Sequence, residues 1–282
     1  MNKVPGARVP SATVPGARVL RKRFGQHFLA PEWVEKVIRA IDPRADQTFI
    51  EIGPGAGALT RPLAARAKAV TAYEIDRDLA GELVAAEIPN LTVVVGDFLS
   101  REGSEFKVQG SGSNAIRVAG NLPYNAASPI MFRLVELYAG GAPLVDATLM
   151  LQREVADRMV APPGGREYGV LSVLMQHAAT VEMILKLPPG AFRPPPKVNS
   201  ALVRLRFHPP DPPVRSPVVF ASIVQAVFTR RRKTLANALL AYGGAGALKP
   251  ADALAQAGLD GSRRPEMLSI PEFARLADVY VG

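Results

Sequence analysis

Residues 49–57 read FIEIGPGAG, an apolar stretch that runs directly into three alternating glycines. Such a stretch before a helical pattern is typical of a buried strand that turns tightly into a helix, where glycines let the backbone approach a nucleotide-like ligand. The loop alone leaves alternatives open. Gly53, Gly55 and Ala58 also satisfy the G-x-G-x-x-G/A pattern of dinucleotide enzymes, with Glu74 near its acidic position, and an ordinary turn would need no ligand.

The pattern around this loop alternates between strands and helices. A helical pattern starts at Pro31, further helices are predicted at 76–87 and near 128–138, and strands are predicted at 48–52, 69–75, 91–95, 115–119 and 145–151. This alternation predicts an α/β fold with a mostly parallel sheet. The proline-rich stretch HPPDPPVRSP at 208–217 predicts a linker, and the helical patterns beyond it predict a small all-α second domain at 218–228, 233–242, 251–257 and 271–281.

The composition indicates a globular protein with a polyanionic partner. The 282 residues are 48% hydrophobic and carry a formal charge of +9 with a sequence pI near 10.0, which favours nucleic acid over a membrane surface. The sequence has no apolar run of the ~18 residues that span a bilayer and no secretory signal, so we expect a cytoplasmic protein. No cysteine and three scattered histidines make a metal centre improbable.

The N-terminal segment contains a short repeat. VPGARV occurs at 4–9 and again at 14–19, in a stretch with no acidic residue before Glu32. We expect residues 1–20 to form a flexible basic extension, and a specific RNA-binding arm is the alternative.

Two carboxylates follow the next two predicted strands. Glu74 ends the second strand, where it can accept both hydroxyl protons of a ribose, and Asp97 follows the third, where it can accept the exocyclic amine of an adenine. A solvated Glu74 beside a helix cap at Asp76, and a turn role for Asp97, are the ordinary alternatives. Together with Gly53, the two residues predict a crevice for an adenosine-containing cofactor, and S-adenosylmethionine fits better than NAD once the fourth strand is considered.

The fourth strand ends in GNLPYN at 120–125. Methylation of an exocyclic amine requires two acceptors for its N–H groups and an aromatic ring that stacks on the base. Asn121, the carbonyl of Leu122 or Pro123, and Tyr124 supply those parts, and the locked φ of Pro123 makes its surroundings rigid. A plain Asn-Pro-type turn is the alternative that these residues would allow by themselves.

These residues resemble the KsgA-type ribosomal RNA small-subunit adenine dimethyltransferases. Matching segments are RKRFGQHFL at 21–29, EIGPGAGALT at 51–60, YEIDRDLA at 73–80, GDF at 96–98, GNLPYN at 120–125, LQREVADRMVA at 151–161, YGVLSVLMQ at 168–176, FRPPPKVNSALVRL at 192–205 and FTRRRKTLANAL at 228–239. The resemblance implies a Rossmann-like methyltransferase domain, here 21–208, and a C-terminal helical RNA-binding domain, here 209–282. It also implies dimethylation of two adjacent adenines near the 3′ end of 16S rRNA, in the 30S subunit or its precursor. We expect a monomer.

The resemblance also implies roles for individual residues. The cofactor contacts fall on His27, Leu29, Gly53, Gly55, Glu74, Asp97 and Asn121, and the target-base contacts on Asn121, Leu122, Pro123, Tyr124 and Phe192. His27 stands where many members have Asn. Phe192 lies in a stiff proline-rich loop that could hold its ring against the base, and core packing is its ordinary alternative.

A basic stretch completes the prediction. Ten basic residues and one acid lie between Lys186 and Lys233, and such a density favours phosphate contacts over a merely solvated face; the RNA-binding candidates are Arg193, Lys197, Arg230, Arg231, Arg232 and Lys233. Three rival functions are a 23S rRNA dimethyltransferase of the macrolide-resistance type, a non-catalytic ribosome assembly factor and a dinucleotide oxidoreductase. The last would leave GNLPYN unexplained.

Overall fold

The computed structural model describes residues 28–103, 115–243 and 248–281, and a central sheet organises them. The strands are β1 Phe28–Leu29, β2 Thr48–Ile52, β3 Ala69–Glu74, β4 Leu91–Val95, β5 Ile116–Asn121, β6 Leu144–Gln152, β7 Ala179–Leu187, β8 Phe192–Arg193 and β9 Ser200–Phe207. The helices are α1 Pro31–Ile41, α2 Thr60–Ala64, α3 Arg77–Val84, α4 Ala127–Ala139, α5 Arg153–Met159, α6 Val170–Ala178, α7 Pro217–Thr229, α8 Leu235–Leu239, α9 Pro250–Ala257 and α10 Ile270–Val279.

Seven strands form the main sheet in the order β4-β3-β2-β5-β6-β9-β7. Neighbouring strands from β4 to β6 are parallel, and β9 pairs antiparallel with both β6 and β7. The chain moves outward from β2 to β4 on one side and from β5 to β6 on the other. The order of the strands therefore reverses between β2 and β5, the place where open α/β sheets bind ligands. The predicted mostly parallel α/β fold is confirmed.

Helices cover both faces of this sheet because its strands are apolar on both sides. On one face Val37, Ile38 and Ile41 of α1 pack into the same buried cluster as Phe49. On the other face α4 contributes Ile130, Met131 and Leu134 to a cluster with Val118 and Leu149. Each such side chain contributes about 1.5–3 kcal/mol by leaving water, so the two clusters hold the ends of the strands in place.

An ion pair lies inside the amino-terminal edge of the sheet. Arg117 on β5 and Asp146 on β6 are opposite each other, and Nε and Nη2 donate to Oδ1 and Oδ2 at 2.9 and 2.8 Å. The remaining donors of Arg117 reach the carbonyls of Ile41 and Asp42 and the side chain of Gln47 at 2.8–3.0 Å. Arg204 approaches the same carboxylate at 3.8 Å. Arg204, one of the ten basic residues counted above, therefore has a structural role here.

The C-terminal helices pack around their own buried cluster, with α7 and α10 contributing Phe220, Val224 and Phe273. Tyr168 and Val173, which precede the proline-rich stretch, belong to the same cluster. The predicted helix at 233–242 is shorter than expected, since α8 spans only Leu235–Leu239. Pro217 was assigned to the linker but begins α7, where a proline fits because its missing N–H has no partner in the first turn.

Candidate active site

The glycine loop after β2 has a backbone that other residues rarely adopt. Gly55 and Gly57 have φ of +58° and +82°. A Cβ added at Gly55 would lie 3.2 Å from the ring of Phe28, and one at Gly57 would lie 2.7 Å from Leu83 Cδ2. The positive φ therefore favours glycine at both positions, and a side chain there would also crowd Phe28 or Leu83.

Glu74 connects the end of β3 to this loop. Its carboxylate is buried and accepts the Gly55 N–H through Oε2 and the Asp76 N–H through Oε1, each at 2.9 Å. The alternative of a solvated Glu74 is therefore wrong, although Asp76 does cap α3 as that alternative assumed. Because a carboxylate offers about four acceptor positions, Glu74 can still receive further donors from a ligand.

Asp97 follows β4 at the same edge. Its Oδ1 accepts the Leu99 N–H at 2.9 Å and caps the short 3-10 helix Phe98–Ser100, so the expected turn role is present. The residue also lines the cavity described below, and a carboxylate has acceptor positions beyond the one that the Leu99 N–H uses.

The Asn121–Tyr124 segment begins at the last residue of β5 and continues into the following turn. Leu122 is buried and donates its N–H to the Met150 carbonyl at 3.3 Å. The Pro123 carbonyl accepts the Ala126 N–H at 2.9 Å, which closes a turn into α4. The Tyr124 hydroxyl lies 3.0 Å from the Ser200 hydroxyl. Backbone and side-chain contacts thus fix this segment at three successive residues.

A cavity of about 820 Å³ joins these parts. Among its lining residues are the predicted Leu29, Gly53, Gly55, Glu74, Asp97 and Asn121–Tyr124. This volume is within the usual range for small-molecule and cofactor sites. The structure therefore brings together most of the predicted cofactor and base residues; His27 lies outside the described residues.

Several lining residues are not among the predicted site residues, and four of these are Phe28, Glu51, Ile75 and Phe98. Ile75 is 52% exposed although it is large and apolar, and it stands beside Glu74 at the cavity. An isoleucine between two acidic residues at a strand end is a signal that could have identified an apolar contact for a flat ligand.

Glu51 is the most unusual of the four. It is 1% exposed, and its Oε2 has no hydrogen-bond partner among the described residues. Burial, together with the negative charge of Glu74, raises the pKa of the Glu51 carboxyl from 4.5 to about 7. A carboxyl in this environment can lose its proton when a positive charge enters the cavity.

This burial makes the stability of the protein depend on pH. The folded protein binds the Glu51 proton more tightly than the unfolded chain does. Proton binding at Glu51 therefore adds to the free energy of unfolding below pH 4.5, and this contribution is lost as the pH rises through about 7. We expect Glu51→Gln to be more stable than wild type at pH 8 by up to roughly 3 kcal/mol, and to differ less at pH 5.

Urea unfolding at pH 5 and pH 8 measures this difference. Glu32→Gln, at an exposed position in the first turn of α1, is the control and should change the unfolding free energy equally at both pH values. A Glu51→Gln effect that is the same at both pH values would contradict the assignment.

Phe192 lies in the core. Its ring is 1% exposed and belongs to the buried cluster with Leu29 and Leu187, and β8 places it opposite Leu29 in a two-stranded pairing with β1. Phe192 is therefore not among the residues that line the cavity. Its position agrees with the ordinary alternative, core packing. Contact with a target base stays a prediction for this residue.

The basic candidates differ in exposure. Arg193, Lys197, Arg230, Arg232 and Lys233 are exposed, although Arg193 donates to the carbonyls of Gly190 and Phe192 at 3.0 Å and Arg230 to that of Asn237 at 3.4 Å. Arg231 is half-buried, donates to the Gly165 carbonyl at 3.2 Å and lies 3.9 Å from Glu266. Arg231 therefore joins the end of α7 to the loop before α6.

The described part of the chain contains neither a metal-binding cluster nor a membrane-spanning helix. Residues 28–103, 115–243 and 248–281 contain no group of three or more His, Asp or Glu that could hold a metal ion. Within the same ranges, each helix is too short or too polar to cross a bilayer.

Known proteins are similar to this sequence over nearly its whole length. The family model for ribosomal RNA adenine dimethylase matches residues 17–280. A ribosomal RNA small subunit methyltransferase A from Xanthomonas euvesicatoria pv. vesicatoria (strain 85-10) is 44% identical over 273 residues, covering 93% of this chain and 97% of the relative. The protein of that name from Acinetobacter baylyi is 42% identical over 266 residues, covering 93% and 92%.

Solved structures of related enzymes are also similar to this chain. A dimethyladenosine transferase from Plasmodium falciparum superposes with a TM-score of 0.70 at 24% identity, covering 89% of this chain and 96% of that chain, and this likeness supports the fold. The 23S rRNA methyltransferase ErmE superposes with a TM-score of 0.62 at 28% identity, covering 90% and 100%. The resemblance inferred from the motifs is confirmed. The chain belongs to the ribosomal RNA adenine dimethylase family, whose members are S-adenosylmethionine-dependent methyltransferases.

Proposed function

We propose that the protein transfers methyl groups from S-adenosylmethionine to N6 of two adjacent adenines near the 3′ end of 16S rRNA, and dimethylates both during maturation of the small subunit. One observation carries the proposal. The glycine loop, two carboxylates and the Asn121–Tyr124 segment line a single cavity at the ends of four adjacent parallel strands. The higher identity to small-subunit relatives, 44% against 28% for ErmE, supports 16S over 23S rRNA.

The residues present fit the cofactor. Gly53 and Gly55 have positive φ, so the backbone can approach a ligand without a side chain in between. Glu74 would hold the ribose hydroxyls and Asp97 the adenine amine. The Oε2 of Glu51, which has no hydrogen-bond partner in the described part of the chain, offers an acceptor or a negative charge to a cationic ligand. When bound, S-adenosylmethionine supplies an electrophilic methyl group on a sulfonium.

The Asn121–Tyr124 segment would hold the target amine. The side-chain oxygen of Asn121 accepts one N6–H, and a backbone carbonyl accepts the other, which draws the nitrogen lone pair away from the ring. Because the Pro123 carbonyl already accepts the Ala126 N–H, we assign the second acceptor to Leu122. Tyr124 stacks on the base. Positioning carries the catalysis, and the proton leaves to water after transfer.

The exposed cations supply the contacts to RNA. Arg193 ends β8, Lys197 lies in the loop between β8 and β9, and Arg230, Arg232 and Lys233 follow α7. We propose that both groups contact phosphates of the 30S subunit or its precursor, with a methyltransferase domain at 21–208, a helical RNA-binding domain at 209–282 and a monomer acting in the cytoplasm. Arg231 supports this surface indirectly through Gly165 and Glu266.

A direct assay tests the proposal. Purified protein is incubated with S-adenosylmethionine and undermethylated 30S subunits or, separately, 50S subunits, and digested RNA is examined for N6,N6-dimethyladenosine by mass spectrometry. We expect product in 30S only. Product in 50S would favour the 23S enzyme, and no product with RNA binding intact would favour the assembly factor.

A substitution at Glu74 tests the cofactor site. We expect Glu74→Gln to weaken S-adenosylmethionine binding by about tenfold or more, because a hydrogen bond to a charged acceptor contributes about 1.5–3 kcal/mol. Isothermal titration calorimetry measures the affinity, and Glu82→Gln, at an exposed position on α3, is the control. An unchanged affinity for Glu74→Gln would remove Glu74 from the ribose.

A further inference from the structure

The hydroxyl of Tyr124 has a partner from a distant part of the chain. Ser200 Oγ lies 3.0 Å from Tyr124 Oη, and the two residues are 76 positions apart in sequence. Ser200 is 2% exposed, and Tyr124 is half-buried at the cavity. The hydrogen bond therefore joins the interior of the sheet to the ring that we propose stacks on the target base.

Ser200 occupies a rigid position. It is the first residue of β9 and is paired with Gln152 of β6 on one side and with Leu187 of β7 on the other. The preceding residue, Asn199, accepts the Arg153 N–H at 2.9 Å. A short side chain on a strand that is paired on both sides has little conformational freedom. The Ser200 hydroxyl therefore offers its hydrogen-bond partner a fixed position.

A hydrogen bond to a group held by the sheet limits the rotation of a tyrosine ring about its two side-chain torsions. Productive stacking requires the ring to stay within about 0.5 Å and 10–20° of its working position. The loop that leads into Ser200 also carries the exposed Lys197, one of the proposed RNA contacts.

We propose that Ser200 is a positioning residue for methyl transfer: its hydrogen bond to Tyr124 holds the aromatic ring at the angle that the target adenine requires. This inference rests on the proposed function. Ser200 itself does not line the cavity and touches the base only through Tyr124. Its removal should therefore affect the rate of transfer and leave cofactor affinity unchanged.

A double-mutant cycle tests the inference. Ser200→Ala and Tyr124→Phe each remove the same hydrogen bond, so each should slow single-turnover methylation of 30S subunits by about tenfold. The double variant should be slowed by less than the product of the two single effects, because each single variant has already lost the hydrogen bond that the two residues share. Ser200→Thr keeps the hydroxyl and should restore most of the rate. Calorimetry should give an S-adenosylmethionine affinity within about twofold of wild type for each variant.

Ser172→Ala is the matched control. Ser172 is also a buried serine, and its hydroxyl accepts the Gly169 N–H at 3.0 Å at the start of α6, away from the cavity. Its effect on rate, if any, should multiply with that of Tyr124→Phe.

Several results would overturn the inference. A wild-type rate for Ser200→Ala or for Tyr124→Phe would do so, as would rate losses that multiply in the double variant. If Ser200→Ala does not fold, Ser200→Thr and Tyr124→Phe decide the question, and a full rate for Tyr124→Phe counts against it. Failure of the proposed function has a different signature, since wild-type protein would then form no dimethyladenosine in 30S subunits.

Discussion

Asn121→Ala should slow methyl transfer by about a hundredfold or more while changing S-adenosylmethionine affinity by less than about threefold. Asn121 ends β5 at the cavity, and we assign its side-chain oxygen to the target amine. Loss of one preorganised hydrogen-bonding group at a reacting centre typically costs 10²–10³ in rate. Single-turnover kinetics on undermethylated 30S subunits give the rate, and calorimetry gives the affinity.

Asn121→Asp is the companion variant. A carboxylate retains an acceptor oxygen at the same place, so this variant should recover part of the rate that alanine loses. Equal losses of rate and cofactor affinity in Asn121→Ala would contradict the role assigned to the amide. Such a result would instead make Asn121 chiefly a cofactor contact.

Asp146→Ala should lower the free energy of unfolding by about 3–5 kcal/mol, the usual cost of leaving a buried charge without its partner. The carboxylate receives two hydrogen bonds from Arg117 and lies near Arg204, and both members of the main pair are less than one-tenth exposed. Its removal strands two cations inside the sheet. Urea denaturation followed by circular dichroism measures the loss.

Glu182→Ala provides the comparison. Glu182 forms an ion pair with Arg206 at 3.2 Å, and both side chains are about half exposed, so this variant should lose less than about 1 kcal/mol. Equal losses in Asp146→Ala and Glu182→Ala would show that burial does not distinguish the two pairs.

Local pattern predicted the first five strands of the main sheet, because each is an apolar run bounded by turn residues. Strands 48–52 and 91–95 match β2 and β4 residue for residue. No strand was predicted beyond residue 151, although β9 reads SALVRLRF and its second half alternates apolar and basic residues as a strand does. Its antiparallel place between β6 and β7, by contrast, depends on pairing between distant segments and has no local signal.

The candidate site likewise contains residues that local sequence predicts and residues that distant contacts place. Residues at strand ends could be predicted, because parallel strands bring their carboxyl ends to one edge. Phe192 could not be placed, since its burial depends on pairing between two-residue strands far apart in sequence. The Ser200 hydroxyl was missed because its partner is 76 positions away, and Glu51 because a strand residue carries no sign of how deeply it is buried.

The reversal of strand order between β2 and β5 has an evolutionary consequence. Gly53, Glu74 and Asp97 lie on one side of that boundary, whereas Asn121–Tyr124 and Ser200 belong to β5, its following turn and β9 on the other. Because Asn121–Tyr124 hold the reacting amine, selection for a different nucleotide is expected to change the residues around that segment rather than the segment itself. The residues on the first side, which we assign to the methyl donor, can then stay as they are.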